Sequence, residues 1–195
     1  MWLVIYLIVC YNVFGDYMRV ISGKYKGKNI EGFNINGTRP TMDRVKESLF
    51  GTIQNYVRES VALDLFAGSG SLGIEALSNG AKRCYFVDNG YEIKKILKRN
   101  LTGIEGSVFI DSDYQKALTD FKNKDIQFDI IFLDPPYFEH LINNSIKLIK
   151  EYNLLAPNGI IIWEFVEEKI NDYGYELIKD KKYGDKYIHI YKNVN

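Results

Sequence analysis

The chain has 195 residues, 46% of them hydrophobic, and its 25 basic and 25 acidic side chains cancel to a net charge of zero. That length suits one domain with a sizeable core and perhaps a small extension, and the zero balance excludes bulk charge as a source of affinity for a polyanion. Cys10 and Cys84 match no metal or redox spacing and fit a reducing compartment.

Residues 1–17 form an apolar extension. Met1 to Phe14 fall short of the about 20 apolar residues that a membrane helix needs, and no basic start marks a secretory leader. Three readings stay open: an added strand or arm, a weak anchor, or translated upstream sequence ahead of a true start at Met18. The opening Met18-Arg19-Val20-Ile21-Ser22-Gly23 favours the third.

Residues 19–35 alternate apolar and polar between Gly23, Gly27 and Gly32, which predicts a short β-hairpin or two. Basic residues concentrate here: seven Lys or Arg against two Asp or Glu from Arg19 to Lys46. Lys24, Lys26 and Lys28 recur at every second position and so share one face of an extended strand. They read either as a solvated edge or as a face that meets phosphates. Thr41 is placed to cap a helix from Met42 to about Tyr56, with Val45, Leu49, Ile53 and Val57 inward. Arg39 and Arg44 are surface charges or substrate contacts.

Val61 to Phe66 predicts a buried strand running into Gly68-Ser69-Gly70-Ser71-Leu72-Gly73 and a helix from Leu72 to Ser78. Glycines there let a backbone approach a ligand, and the helix N-terminus favours its anionic end. Asp88 closes the next strand, Cys84 to Val87, at the position where an acid accepts ribose hydroxyls. A nicotinamide enzyme fits that fingerprint as well. Asp64, inside the strand before the glycines, is unusual for a dinucleotide site: it is either a buried acid paired with backbone or a partner for a ligand's ammonium group.

Tyr91 to Leu101 predicts an amphipathic helix with Ile93, Ile96, Leu97 and Leu101 inward. Val108 to Ile110 predicts a strand, after which Asp113, in preference to Asp111, is placed to read an adenine edge. A further helix carries Ala117 and Leu118. Phe138 to Tyr152 predicts another, Leu155 to Gly159 a turn and Ile160 to Phe165 a buried strand. Tyr175–Lys179 and Lys186–Tyr191 predict an antiparallel pair about Gly184-Asp185. His140 and His189 read as surface or packing residues.

Asp129-Ile130-Ile131-Phe132-Leu133 predicts a strand buried on both faces. Pro135 and Pro136 cannot extend a ladder, so the chain leaves the sheet at Asp134. Ligands of an open α/β sheet lie outside the carboxyl ends of its strands, which turns Asp134 and Tyr137 towards a crevice. The run Asp134-Pro135-Pro136-Tyr137 resembles the active-site motif of amino-methyltransferases. An exocyclic amine is a poor nucleophile because its lone pair is delocalised into the ring. Hydrogen bonds to the Asp134 carboxylate and to a stiffened carbonyl, that of Pro135, would aim the lone pair, and the carboxylate would stabilise the cation that forms. Tyr137 would stack on the base. The alternative is an ordinary proline turn capped by Asp134.

Taken with Arg39-Pro40-Thr41, Asp64-Leu65-Phe66-Ala67-Gly68-Ser69-Gly70, Leu72-Gly73-Ile74-Glu75-Ala76-Leu77 and the opening at Met18, residues 18–191 resemble the bacterial 16S ribosomal RNA guanine-N2 methyltransferases of the guanine-966 type. The resemblance implies an α/β fold: a Rossmann-like, seven-stranded class I S-adenosylmethionine-dependent methyltransferase sheet with a small N-terminal β-hairpin. It divides the chain into the extension 1–17, an RNA-contacting hairpin and helix at 18–57, and a methyltransferase domain at 58–195. It implies S-adenosylmethionine held by Asp64, Phe66, Gly68, Gly70, Asp88 and Asp113, catalysis at Asp134, Pro135, Pro136 and Tyr137, and RNA contacts from Lys24, Lys26, Lys28, Arg39 and Arg44. The implied partner is 16S rRNA in the small ribosomal subunit or its assembly intermediate. A cytoplasmic monomer without metal or membrane is expected. Rival readings are an adenine-N6 DNA methyltransferase and a nicotinamide-binding oxidoreductase. Asp88 stands where glutamate is more common in the family, and residues 1–17 have no counterpart there.

Overall fold

A computed structural model describes residues 17–32, 39–135, 139–165, 174–183 and 186–194. Short strands β1 (Tyr17–Arg19) and β2 (Asn29–Glu31) pair antiparallel, with Met18 opposite Ile30. They are followed by α1 (Arg39–Val57), β3 (Val61–Asp64), α2 (Ser71–Ser78), β4 (Arg83–Asp88), α3 (Tyr91–Leu101), β5 (Ser107–Asp111), α4 (Tyr114–Asn123), β6 (Phe128–Leu133), α5 (Glu139–Glu151), β7 (Leu155–Phe165), β8 (Glu176–Tyr183) and β9 (Lys186–Lys192). The main sheet has seven strands in the order β5-β4-β3-β6-β7-β9-β8. Strands β3 to β7 run parallel, β9 alone is reversed, and β8, antiparallel to β9, runs with the others.

Side chains alternate across the sheet and sort into two cores. Ala62, Ile130, Phe132, Ile160 and Ile162 pack with Leu49 and Ile53 of α1, Ile74 of α2 and Leu97 of α3. Leu63, Ile131, Leu133, Ile161 and Trp163 pack with Leu118 of α4 and Ile146 of α5. Residues of β6 are therefore apolar on both faces because helices cover both. Val20 and Ile30 join the first core, so the N-terminal segment shares the hydrophobic interior of the sheet.

The expected single lysine face is not formed. Residues 22–27 turn instead of extending, with Gly23 at φ 78° and Gly27 at φ 84°. A Cβ on Gly23 would stand 1.8 Å from the Ser78 carbonyl oxygen, because this turn is pressed onto the end of α2. There the Lys24 N–H donates to that oxygen at 2.7 Å, and the Tyr25 N–H donates to Ser78 Oγ at 2.9 Å. Tertiary capping of a helix end has replaced the local alternation.

Two boundaries also moved. Helix α1 starts at Arg39, with Pro40 in its first turn where the missing N–H costs nothing, so Thr41 lies inside it and does not cap it. The expected turn from Leu155 to Gly159 lies within β7. The ladder steps from Phe128 opposite Leu155 to Ile130 opposite Ile160, so extra residues bulge out of β7 around Asn158 at φ 62°. Turn residues here make an irregularity within a strand. The late hairpin forms as expected, with Tyr183 opposite Lys186. His189 is a packing residue, wholly buried, with its ring 6.0 Å from that of Trp163. His140 falls outside the described side chains.

Candidate active site

The carboxyl ends of β3, β4 and β6 meet where the strand order reverses, which is where an open α/β sheet holds ligands. Asp64 ends β3 at 2% exposure. Its Oδ2 accepts the Gly73 N–H at 3.0 Å. Burial first, and then the charges of Asp134 and Asp88, raise its pKa to about 8 against that hydrogen bond. Asp64 is thus the buried acid bonded to backbone, and it lies close enough to two other carboxylates to feel their charge.

Asp88 ends β4 and ties the loop shut. Its Oδ2 accepts the Gly68 N–H at 3.0 Å, and its Oδ1 accepts the Gly90 N–H at 2.9 Å. Gly70 stands at the entrance of α2 with φ 80° and ψ 13°, a left-handed conformation that glycine adopts without strain. A Cβ on Gly73 would meet the Phe86 ring at 2.3 Å, so this glycine lets α2 lie against β4. Phe66 is half-buried, its ring 5.5 Å from that of Tyr114 at the start of α4.

Asp113 has a part in the fold itself. It is the N-cap of α4, its Oδ1 accepting the Gln115 N–H at 2.8 Å, which satisfies a donor the helix leaves open. Asp111 pairs with Lys94 at 2.8 Å.

Asp134 is exposed directly beyond β6, and Pro135 is half-buried beside it. Asp64 is level with Phe132 in the ladder, so Asp134 emerges two residues above it on the neighbouring strand. Pro136 and Tyr137 lie outside the described residues. No group of three or more His, Cys, Asp or Glu suited to a metal occurs among the described residues.

Two contributors were missed in the sequence. Asn100, buried in α3, donates to Ser69 O and to Glu31 O, each at 2.9 Å, and accepts the Glu31 N–H. It braces the glycine loop against β2. A lone amide between Leu97 and Leu101 on an inward face was the available signal. Lys46, 7% exposed, donates to Arg19 O at 2.7 Å and to Ser71 Oγ at 3.0 Å, at the first residue of α2. Its inward direction was hidden because lysine on a helix ordinarily reads as solvated.

The expected RNA-contacting residues do not gather at one place. Lys24 pairs with Glu105 at 2.7 Å, and Lys28 donates to Thr102 O at 2.9 Å. Glu105 and Thr102 belong to the loop entering β5, and Lys24 and Tyr25 bond to the end of α2. Lys24 therefore lies by the amino edge of the sheet, opposite Asp134. Lys26 is exposed in the same turn, Arg44 is exposed on α1, and the Arg39 side chain lies outside the described set.

Residues 18–192 match the family described as Conserved hypothetical protein 95. A similar protein is the Ribosomal RNA small subunit methyltransferase D of Haemophilus influenzae, 38% identical over 90% of this chain and 94% of its own. The solved structure of a Haemophilus influenzae protein provisionally described as a methylase is 34% identical and superposes with a TM-score of 0.74, covering 92% of this chain and all 100% of that one. The S-adenosylmethionine-dependent methyltransferase of Agrobacterium tumefaciens shares the fold, with a TM-score of 0.66 at 14% identity, over 95% of this chain and 72% of its own.

Proposed function

We propose that this chain, which belongs to the Conserved hypothetical protein 95 family, is a ribosomal RNA methyltransferase that modifies the exocyclic N2 of a guanine in 16S rRNA of the small subunit, with S-adenosylmethionine as donor. The relative named for small-subunit rRNA methylation, similar over 90% of this chain, supports the substrate class. One observation carries the chemistry. The exposed carboxyl of Asp134 leaves β6 beside the strand whose buried Asp64 opens the glycine loop.

The residues present fit the donor. Asp64 is a buried carboxyl among acidic neighbours, suited to an ammonium or sulfonium charge. The start of α2 offers backbone N–H groups to a carboxylate, and Asp88, at the end of β4, would accept hydrogen bonds from the ribose hydroxyls. When bound, the donor supplies an electrophilic methyl group on a cationic sulfur. Asp134 would hold the amine through an N–H, leave its lone pair aimed at the methyl, and stabilise the charge that appears on nitrogen. The Pro135 carbonyl would take the second N–H, and Tyr137 would stack on a guanine drawn from its helix. Such positioning contributes about 7–11 kcal/mol in favourable cases. Once methylated, with the donor's sulfur as leaving group, the nitrogen would give its extra proton to solvent or to the Asp134 carboxylate. RNA contacts are assigned to Arg44 and Arg39 of α1. The reaction belongs to the cytoplasm, where ribosomal subunits are assembled.

Tritium transfer from labelled donor to undermethylated small subunits, followed by nucleoside analysis, tests the reading. Label in N2-methylguanosine is the expected outcome. Label in DNA adenine, or none in either acid, overturns it.

A further inference from the structure

Helix α2 begins without the capping or anionic side chain that helices ordinarily keep at this end. Its N-cap is Gly70, and no acid stands in its first turn. The N–H of Gly73 is taken by Asp64 Oδ2 at 3.0 Å. The N–H groups of Ser71 and Leu72, which precede it, meet no acceptor among the described residues.

A cation is buried at this same end. Lys46 Nζ donates to Ser71 Oγ at 3.0 Å and to Arg19 O at 2.7 Å, and it lies 3.3 Å from Glu75 Oε2. Positive charge beside a helix N-terminus adds to the dipole instead of offsetting it. Glu75 pairs with the ammonium from one turn further along, where the N–H groups of Ile21 and Ser22 hold its carboxylate. Lys46 also fixes what the Ser71 hydroxyl can do. An ammonium has three donors and no acceptor, so Ser71 Oγ can only accept from it. The hydroxyl proton then points elsewhere, and no acceptor for it stands among the described residues. A hydroxyl that accepts from a cation is a stronger donor, because hydrogen bonds in a chain polarise one another. Ser71 is half-buried, within reach of an incoming group.

We propose that the Ser71 hydroxyl binds the α-carboxylate of S-adenosylmethionine, with Lys46 as the positioning residue that commits the hydroxyl to donating. This rests on the reading of the site as one for that donor. The open N–H groups of Ser71 and Leu72 would take the same carboxylate. Asp64, bonded to Gly73 in the same turn, would take the ammonium group. The amino-acid end of the donor is then held by opposite charges within the first turn of α2, and a ligand without the carboxylate loses one of the two holds.

Calorimetry with S-adenosylmethionine and with its decarboxylated analogue tests this, since the two differ only in the carboxylate. The whole protein should prefer the carboxylated ligand. Ser71→Ala should weaken that ligand about tenfold, the size of one hydrogen bond to a charged group, and leave the affinity for the analogue unchanged. Ser71→Thr, which keeps a hydroxyl, should keep the parent preference. Lys46→Met/Glu75→Gln should lose the preference as Ser71→Ala does. If that variant does not fold, Lys46→Gln, whose amide can accept as well as donate, should lose part of it. Melting curves without ligand show which variants are folded. No preference in the parent, an unchanged preference in Ser71→Ala, an equal loss for both ligands, or a loss in Ser71→Thr overturns the role of Ser71. A preference unaltered in the folded Lys46 variants removes Lys46 from the arrangement. A parent that binds neither ligand refutes the donor reading itself, whereas a parent that binds and transfers methyl groups, with an unaltered preference in Ser71→Ala, refutes the Ser71 bond alone.

Discussion

Lys46 Nζ lies 3.3 Å from Glu75 Oε2, with the two side chains only 7% and 1% exposed. Glu75 also accepts the N–H groups of Ile21 and Ser22, each at 2.9 Å, and the Ser22 hydroxyl at 3.0 Å. One buried pair therefore ties α1 and the N-terminal segment to the helix that follows the glycine loop. Burial pulls the Lys46 ammonium below its usual pKa, and Glu75 pulls it back up.

Removing one partner of such a pair leaves the other charge without compensation. Lys46→Met should destabilise the fold by about 3–5 kcal/mol in urea titrations. Lys46→Met/Glu75→Gln should recover part of that loss, since the uncompensated carboxylate is gone. A double variant no more stable than the single one would show that the charge on Glu75 is not what the loss of Lys46 exposes.

Asp64 makes stability and ligand binding depend on pH. Its folded pKa of about 8 stands above the ordinary carboxyl value, so the folded chain holds a proton that the unfolded chain has lost. Stability from this group is full below the ordinary carboxyl range and falls as pH rises towards 8. Asp64→Asn should flatten the decline in melting temperature between neutral pH and pH 8. Binding of a cationic ligand at neutral pH should release close to one proton, read as a dependence of calorimetric heat on the buffer's ionisation enthalpy. The variant should release none.

Asp134→Ala should abolish methyl transfer while leaving donor affinity within about threefold, because its carboxylate is exposed and the loop is closed by Asp88 and Asn100. Retained turnover would remove Asp134 from the chemistry. A collapse of donor binding would make it a cofactor residue.

Gly23→Ala should cost more than about 1 kcal/mol, because alanine at a positive φ is strained and its methyl has no room beside Ser78. Gly27→Ala shares the positive φ but meets nothing within 4 Å. Comparing the two melting temperatures separates crowding from backbone strain, and equal shifts would show that crowding contributes nothing.

The sequence by itself determined what depends on local periodicity and on chemistry concentrated in short runs. The apolar stretches of β3 and β6, the helical period from Tyr91 to Leu101, and the glycine loop from Asp64 to Gly73 were readable because each signal lies within about ten residues. The stop at Asp134 was readable because proline cannot continue a ladder. Tertiary structure alone decided where charges and polar groups find partners. Lys24 and Lys28 alternate as if on a strand, yet close packing on α2 bends them away to the amino edge. Burial, register and hydrogen bonds such as those from Lys24 and Tyr25 to Ser78 are properties of segments far apart in the chain, so no window on the sequence contains them.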